Sequence, residues 1–276
     1  DAFISLRFAD RLLHGDGLTW TVGERVEGYS NLLFVLLTAG LGALGMELVD
    51  AARLLGAVGT LLALWLLALA LRPKDLRTGM LAAIPPLLVA SSQTVLGWTL
   101  GGLEGPLLLA LLAWGMGGVV TEVYRQPDPT RWRPRVLLRL GVPFALACWT
   151  RPDAPLWALC CGIGLWLLGA RTDAFAALRR TVTFGAPALL AVLAQLAFRV
   201  LYYGDVVPNT AHVKAGLDPA RLDDGLTYVW RALLAMPGLT LLTIVGAVLL
   251  AWRARPRRVV LLLLLPFVAW SSYLVT

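Results

Sequence analysis

DAFISLRFADRLLHGDGLTWTVGERVEGYSN, from Asp1 to Asn31, is the longest polar passage in a chain otherwise built of apolar runs. On a helical wheel Ala2, Leu6, Ala9 and Leu13 share one side, while Arg7, Asp10, Arg11 and His14 gather on another. That division predicts a helix over 2–14 lying flat on a bilayer surface, half in lipid and half in water. Gly15 and Gly17 end it, and Gly23 and Gly28 punctuate an acidic, tightly turning segment. One carboxylate, Asp1, stands at the head of the helix, and Glu24 and Glu27 stand just before the next apolar run. From the residues alone, a solvated juxtamembrane linker explains these charges as well as a functional site does.

Working outward, apolar runs cover about 32–46, 54–71, 79–96, 106–121, 136–150, 154–170, 182–202, 228–252 and 259–275. A full crossing takes about 20 apolar residues, so several runs are complete spans and some are short. With 58% hydrophobic and only 15% charged residues the chain is no ordinary soluble domain but a polytopic α-helical membrane protein. Its net charge of +7 sits in a few short linkers rather than in a stripe interleaved with aromatics, which argues against nucleic-acid binding. Cys148, Cys160 and Cys161 fall in apolar runs without metal-ligand spacing and read as small core residues.

Basic linkers at 72–77, 125–139, 171–180 and 253–258 should face the cytoplasm. The alternate connections, 98–106, 149–155 and 202–224, carry few cations and nearly all the remaining polar residues, and should lie together on the external face. One count does not close. If 1–31 is external and 72–77 cytoplasmic, runs 32–46 and 54–71 cannot both cross; either the short first run lies in the interface or re-enters, as expected, or the basic linker breaks the charge bias. Pro85-Pro86 followed by Ser91-Ser92-Gln93-Thr94 predicts a kink in run 79–96.

Three connections hold candidate chemistry. In Trp98 to Pro106, WTLGGLEGP, Glu104 stands where a glycine-rich turn meets a span; the helix dipole alone would favour a carboxylate there. Trp149-Thr150-Arg151-Pro152-Asp153 places a cation and a carboxylate at the interface, as a site or as an Arg–Asp pair at a helix start behind Pro152. Tyr202-Tyr203-Gly204 leads through Pro208-Asn209-Thr210 to His212, Lys214 and Gly216, with a lysine outside the basic linkers.

These stretches resemble the GT-C superfamily of membrane glycosyltransferases, in the branch of the mycobacterial terminal arabinofuranosyltransferase. The shared pattern is Asp-Ala-Phe-Ile-Ser (residues 1–5) with Arg7, Gly-x-Gly-Leu-x-Trp (15–20) and Gly-Glu-x-Val-Glu-Gly-Tyr-Ser-Asn (23–31). Gly-Leu-Glu (102–104) follows with Gly105 where the family has Thr, then Thr-Arg-Pro-Asp (150–153) and Tyr-Tyr-Gly…Pro-Asn-Thr…Lys-x-Gly (202–216). The family opens with an Asp-Asp pair; here one Asp is present.

The resemblance implies an all-α integral membrane GT-C-type bundle over 1–276, with 1–31 as its first external loop. A first span before residue 1 and an external domain after residue 276 are expected. It implies inverting transfer of a sugar, arabinofuranose in the named branch, from a polyprenyl-phosphate donor to a glycan or glycolipid acceptor. The reaction would run on the external face of the bacterial cytoplasmic membrane. Asp1 would be the base that takes the acceptor proton. Arg151, Lys214 and His212 or Arg25 would face the leaving phosphate. Glu27, Glu104, Tyr29, Asn209 and Asp153 would hold sugar hydroxyls or orient those cations. No cofactor is expected and, without an Asp-x-Asp pair, no metal. The competing readings are a transporter or lipid-linked-sugar flippase, and a protein O-mannosyltransferase-like enzyme. Against the flippase stand the absence of an inverted repeat and the scarcity of ionisable residues deep inside the spans.

Overall fold

The computed structural model describes residues 2–71, 75–209 and 219–253, and among these the chain is helical with no strands. Helices α1 (Ala2–Leu13), α2 (Leu32–Ala43), α3 (Leu48–Leu71), α4 (Leu76–Ala90), α5 (Gln93–Leu100) and α6 (Gly105–Arg125) are followed by α7 (Pro134–Thr150), α8 (Ala154–Gly169) and α9 (Ala174–Tyr203). Helices α10 (Pro219–Ala235) and α11 (Pro237–Arg253) come last. Among the described residues three helices are long and apolar enough to cross a membrane, and two bent pairs raise the number to as many as five. The protein is an all-α integral membrane protein. Asp1, His212, Lys214 and the run 259–275 lie outside the described residues.

The core is a bundle of α6 to α9, in which Val119, Leu137, Phe144, Cys161, Leu165 and Phe184 are buried together. All three cysteines are buried and free. Helices α7 and α9 run in the same direction and touch at Gly141, where a Cβ would collide with the Phe184 carbonyl oxygen and press on the Pro187 ring. Only glycine lets the two backbones meet there, the usual device of membrane helix packing. Since each helix reverses or repeats the course of its neighbour, the starts of α6 and α8 share one end of the bundle with the ends of α7 and α9. Linkers 125–134 and 169–174 share the other.

The first apolar run folds into a helix too short to cross upright. Helix α2 has 12 residues and rises ~18 Å against a hydrocarbon core of about 30 Å. It lies beside α1 in the same direction: Asn31, at its start, bonds Ser5, and Gly42, near its end, packs on Leu13. The chain then enters α3, where Ala52 packs on Gly102, two residues from the Glu104 that Asn31 touches. Among the described residues α3 is thus the first helix long and apolar enough to cross. The charge bias is then obeyed, because α3 carries the chain from the level of Glu104 towards linker 72–77.

Other expectations are corrected in detail. The buried face of α1 comprises Ser5, Leu6, Phe8 and Ala9, while Leu13 is 38% exposed. This face packs on the protein, where Phe8 fits edge-on against Tyr29, with ring centroids 4.8 Å apart. The kink in run 79–96 is a break at 91–92, where α4 and α5 meet at 59°. Run 228–252 is not one rod: its two halves meet at 94° next to Pro237, which lacks an N–H and turns the preceding residue away from helical angles.

A two-part polar centre at one end of the bundle

The motifs at 23–31, 102–104 and 150–153 and the Tyr202-Tyr203 pair meet at the end of the bundle to which α7 and α9 lead. Asn31 joins two of them. Its Oδ1 accepts from the Ser5 hydroxyl at 3.0 Å, and its Nδ2 donates to Glu104 Oε2 at 3.0 Å. The other oxygen, Glu104 Oε1, takes the Arg151 guanidinium at 3.2 Å, and Arg151 Nε donates to Asp153 Oδ1 at 2.8 Å. Glu104 and Asp153 both occupy the residue before a helix, yet neither side chain caps that helix. Neither therefore acts through a capping hydrogen bond: both carboxylates pair with Arg151, with side-chain exposures of 11% and 1% against 27% for the arginine. One cation thus shows part of its surface and is fixed from behind by two carboxylates.

The second part ties loop 14–31 to the last turns of α9. Glu27 Oε2 accepts from Arg199 Nε at 2.7 Å, the carboxylate buried and the guanidinium half-buried. The Glu27 carbonyl oxygen accepts the Asn209 N–H at 3.1 Å, which pins the loop after α9. The Tyr203 hydroxyl donates to the Leu18 carbonyl at 2.8 Å and lies 3.2 Å from that of Tyr29; the Leu18 N–H donates to the Tyr202 hydroxyl at 3.1 Å. Arg25 lies over the Tyr202 ring, 4.8 Å from its centroid. Gly17, at φ +77°, admits the Tyr202 hydroxyl where a Cβ would stand. Burial pushes the Glu27 carboxyl above its ordinary range; Arg199 draws it back and Asp205 adds to the rise. Burial raises the Tyr29 phenol too, against its bond to Tyr203.

Of the residues singled out from the sequence, Glu104, Arg151 and Asp153 form one cluster, and Glu27, Tyr29, Arg25 and Asn209 belong to the other. Tyr29 is 2% exposed, so its ring supports the loop from inside the core and does not line an opening. The Asn209 contact runs through its backbone, with the side chain on an exposed residue. Sequence reasoning missed Arg199 and the bridging part played by Ser5 and Asn31. The signal for Arg199 was a single arginine in the apolar run 182–202, which demands a buried acid. Beside the centre, a cleft of about 150 Å³ opens between α1, α3 and the glycine turn, lined by Phe3, Leu6, Val49, Ala52, Arg53 and Gly102. Among the described residues no three His, Cys, Asp or Glu side chains come close enough to hold a metal ion.

Fold and site together define a helical membrane protein with a polar centre where several of its helices end. Among curated proteins, the chain is similar to the terminal beta-(1->2)-arabinofuranosyltransferase of Mycobacterium tuberculosis (strain ATCC 25618 / H37Rv). They share 31% identity over 240 residues, 83% of this chain and 36% of the relative. The chain therefore spans about a third of the length of the curated relative it matches. The similarity supports a glycosyltransferase relationship. No protein-family model matches the chain, and no solved structure does.

Proposed function

We propose that this chain carries the membrane-embedded centre of a GT-C-type glycosyltransferase. It would move a sugar, arabinofuranose by analogy with the relative, from a polyprenyl phosphate to a glycan or glycolipid acceptor at the external face of the bacterial cytoplasmic membrane. The observation that carries this reading is Arg151, partly exposed and held by Glu104 and Asp153. It sits in a network that reaches the first turn of α1 through Asn31 and Ser5.

In this reading Asp1, just before α1, takes the proton of the acceptor hydroxyl as its oxygen bonds to the anomeric carbon. The bond from that carbon to the phosphate oxygen breaks with inversion, and the lipid phosphate leaves as an anion. The departing charge needs fixed cations rather than an acid. Arg151 is already oriented for it and pays no reorganisation when charge develops, while Lys214 and His212, outside the described residues, would add further cations. Glu104 and Asp153 hold the arginine fork. Glu27 and Tyr29 brace the loop wall through Arg199 and Tyr203. No resident cofactor or metal takes part.

The test is sugar transfer from synthetic polyprenyl-phosphate donors, the arabinofuranosyl one among them, by the detergent-purified protein and its Asp1→Asn and Lys214→Ala variants. Asp1→Asn should lower transfer by about 100- to 10,000-fold, the usual share of a general base, while donor binding persists. Donor binding without turnover across a broad acceptor panel would overturn the proposal in favour of a carrier.

A further inference from the structure

The opposite end of the bundle holds a cationic site that the transfer reaction does not use. The two stretches 121–139 and 171–180 together hold eight arginines, no lysine and three acids. All three acids are engaged. Glu122 pairs with Arg125 at 3.8 Å, Asp128 accepts from Thr130 and pairs with Arg131 at 3.5 Å, and Asp173 caps α9 through the Phe175 and Ala176 N–H groups. Arg133, Arg135, Arg139, Arg171, Arg179 and Arg180 are left without a carboxylate partner among the described residues.

Arg180 differs from the others in that it is half-buried and its Nε is sealed from solvent with no hydrogen-bond partner. A buried guanidinium nitrogen left unpaired is costly, so this one calls for an acceptor. Its position is fixed by the contact of Gly141 with Phe184. One turn back from that contact, Leu137 on α7 and Arg180 on α9 are level, and a further turn back on α7 is Arg133. Arg180 is the seventh residue of the 30-residue α9, ~9 Å from its start. A helix ~45 Å long extends beyond a hydrocarbon core of about 30 Å by several ångströms at each end. This puts Arg180 at the boundary between headgroups and acyl chains. The surface alongside is apolar and open: Leu138 and Val142 on α7, Phe175, Leu178 and Val182 on α9 are all exposed.

We infer that Arg180, with Arg133, binds the headgroup phosphate of an anionic phospholipid whose acyl chains lie along the exposed faces of α7 and α9. Guanidinium groups fit this partner because their planar forks match phosphate oxygens pairwise, and basic pockets between membrane helices are the usual seats of anionic headgroups. The inference is independent of the glycosyltransferase reading, since none of these residues belongs to the polar centre.

The experiment is native mass spectrometry of the detergent-purified protein mixed with phosphatidylglycerol or with phosphatidylcholine of the same chains. The protein should retain phosphatidylglycerol preferentially, and Arg180→Gln and Arg133→Gln should each cut that preference about fivefold, the contribution of one surface cation. Arg180→Lys, which keeps the charge but not the fork, should fall between wild type and Arg180→Gln. Arg7→Gln, at the other end of the molecule, should behave as wild type. Equal retention of the two lipids by the wild-type protein would overturn the inference even if a variant failed to fold. So would an undiminished preference in a folded Arg180→Gln variant.

Discussion

Helix α9 carries a half-buried arginine near each of its ends, Arg180 and Arg199, 19 residues or ~29 Å apart, close to the thickness of a bilayer's hydrocarbon core. Their surroundings are opposite. Arg199 is neutralised within the protein by Glu27 at 2.7 Å, in a cluster that also fixes the backbone of Asn209. Arg180 has no acidic partner among the described residues and lies among arginines whose nearby carboxylates are already occupied. One end of the bundle spends its carboxylates on orienting individual cations, which suits preorganised chemistry. The other leaves its cations in excess, which suits contact with an anionic surface.

Several experiments would break or sharpen that contrast. The largest effect is expected from Asp1→Asn, with the loss of transfer given above and unchanged donor binding. Next comes Glu104→Ala. It removes one of the two carboxylates behind Arg151 and one partner of Asn31, and stripping a partner from a buried ion pair typically costs about 3–5 kcal/mol. A clear fall in the unfolding temperature should accompany the loss of transfer, and a wild-type melting curve would show that the network does not hold the turn. Gly17→Ala should cost about 1–2 kcal/mol from its positive φ alone. It should also displace the Tyr202 hydroxyl, seen as faster hydrogen exchange at the Leu18 amide.

A subtler effect concerns Glu27. Because burial holds its carboxyl above the ordinary range, the folded protein keeps a proton that the unfolded chain has already lost in the window just above the usual carboxylate pKa. Stability should therefore decline as pH rises through that window. Glu27→Gln should flatten this part of the pH–stability curve. The smallest effect is expected at the basic end, where the exposed Arg171→Gln should stay within about 0.5 kcal/mol of wild type and transfer normally.

Much of this arrangement was legible in the sequence. Membrane class, the break after Pro85-Pro86 and the gathering of loops 98–106 and 149–155 beside 1–31 all follow from hydropathy, proline and charge placement. The Arg151–Asp153 pairing could be read from its spacing, but the hold of Glu104 on the same arginine could not, because it joins residues 47 positions apart through tertiary packing. Arg199 escaped notice for a related reason: one charge in an apolar run signals a partner without naming it. The buried face of α1 was misjudged because Phe8, off the predicted stripe, has the large ring that fits Tyr29. The bend at Pro237 was missed because the apolar content is continuous across it.

The shortness of α2 has a consequence for how the chain is threaded into its membrane. A hydropathy profile offers two apolar peaks between residues 32 and 71, which a simple count would turn into a hairpin with both of its ends on one side. Only the second forms a helix long and apolar enough to cross. A crossing by α3 alone would leave 32–43 at the surface from which α3 starts. A reporter placed at 44–47 should accordingly answer from the same compartment as one placed at 101–103, and from the opposite compartment to one placed at 126–128.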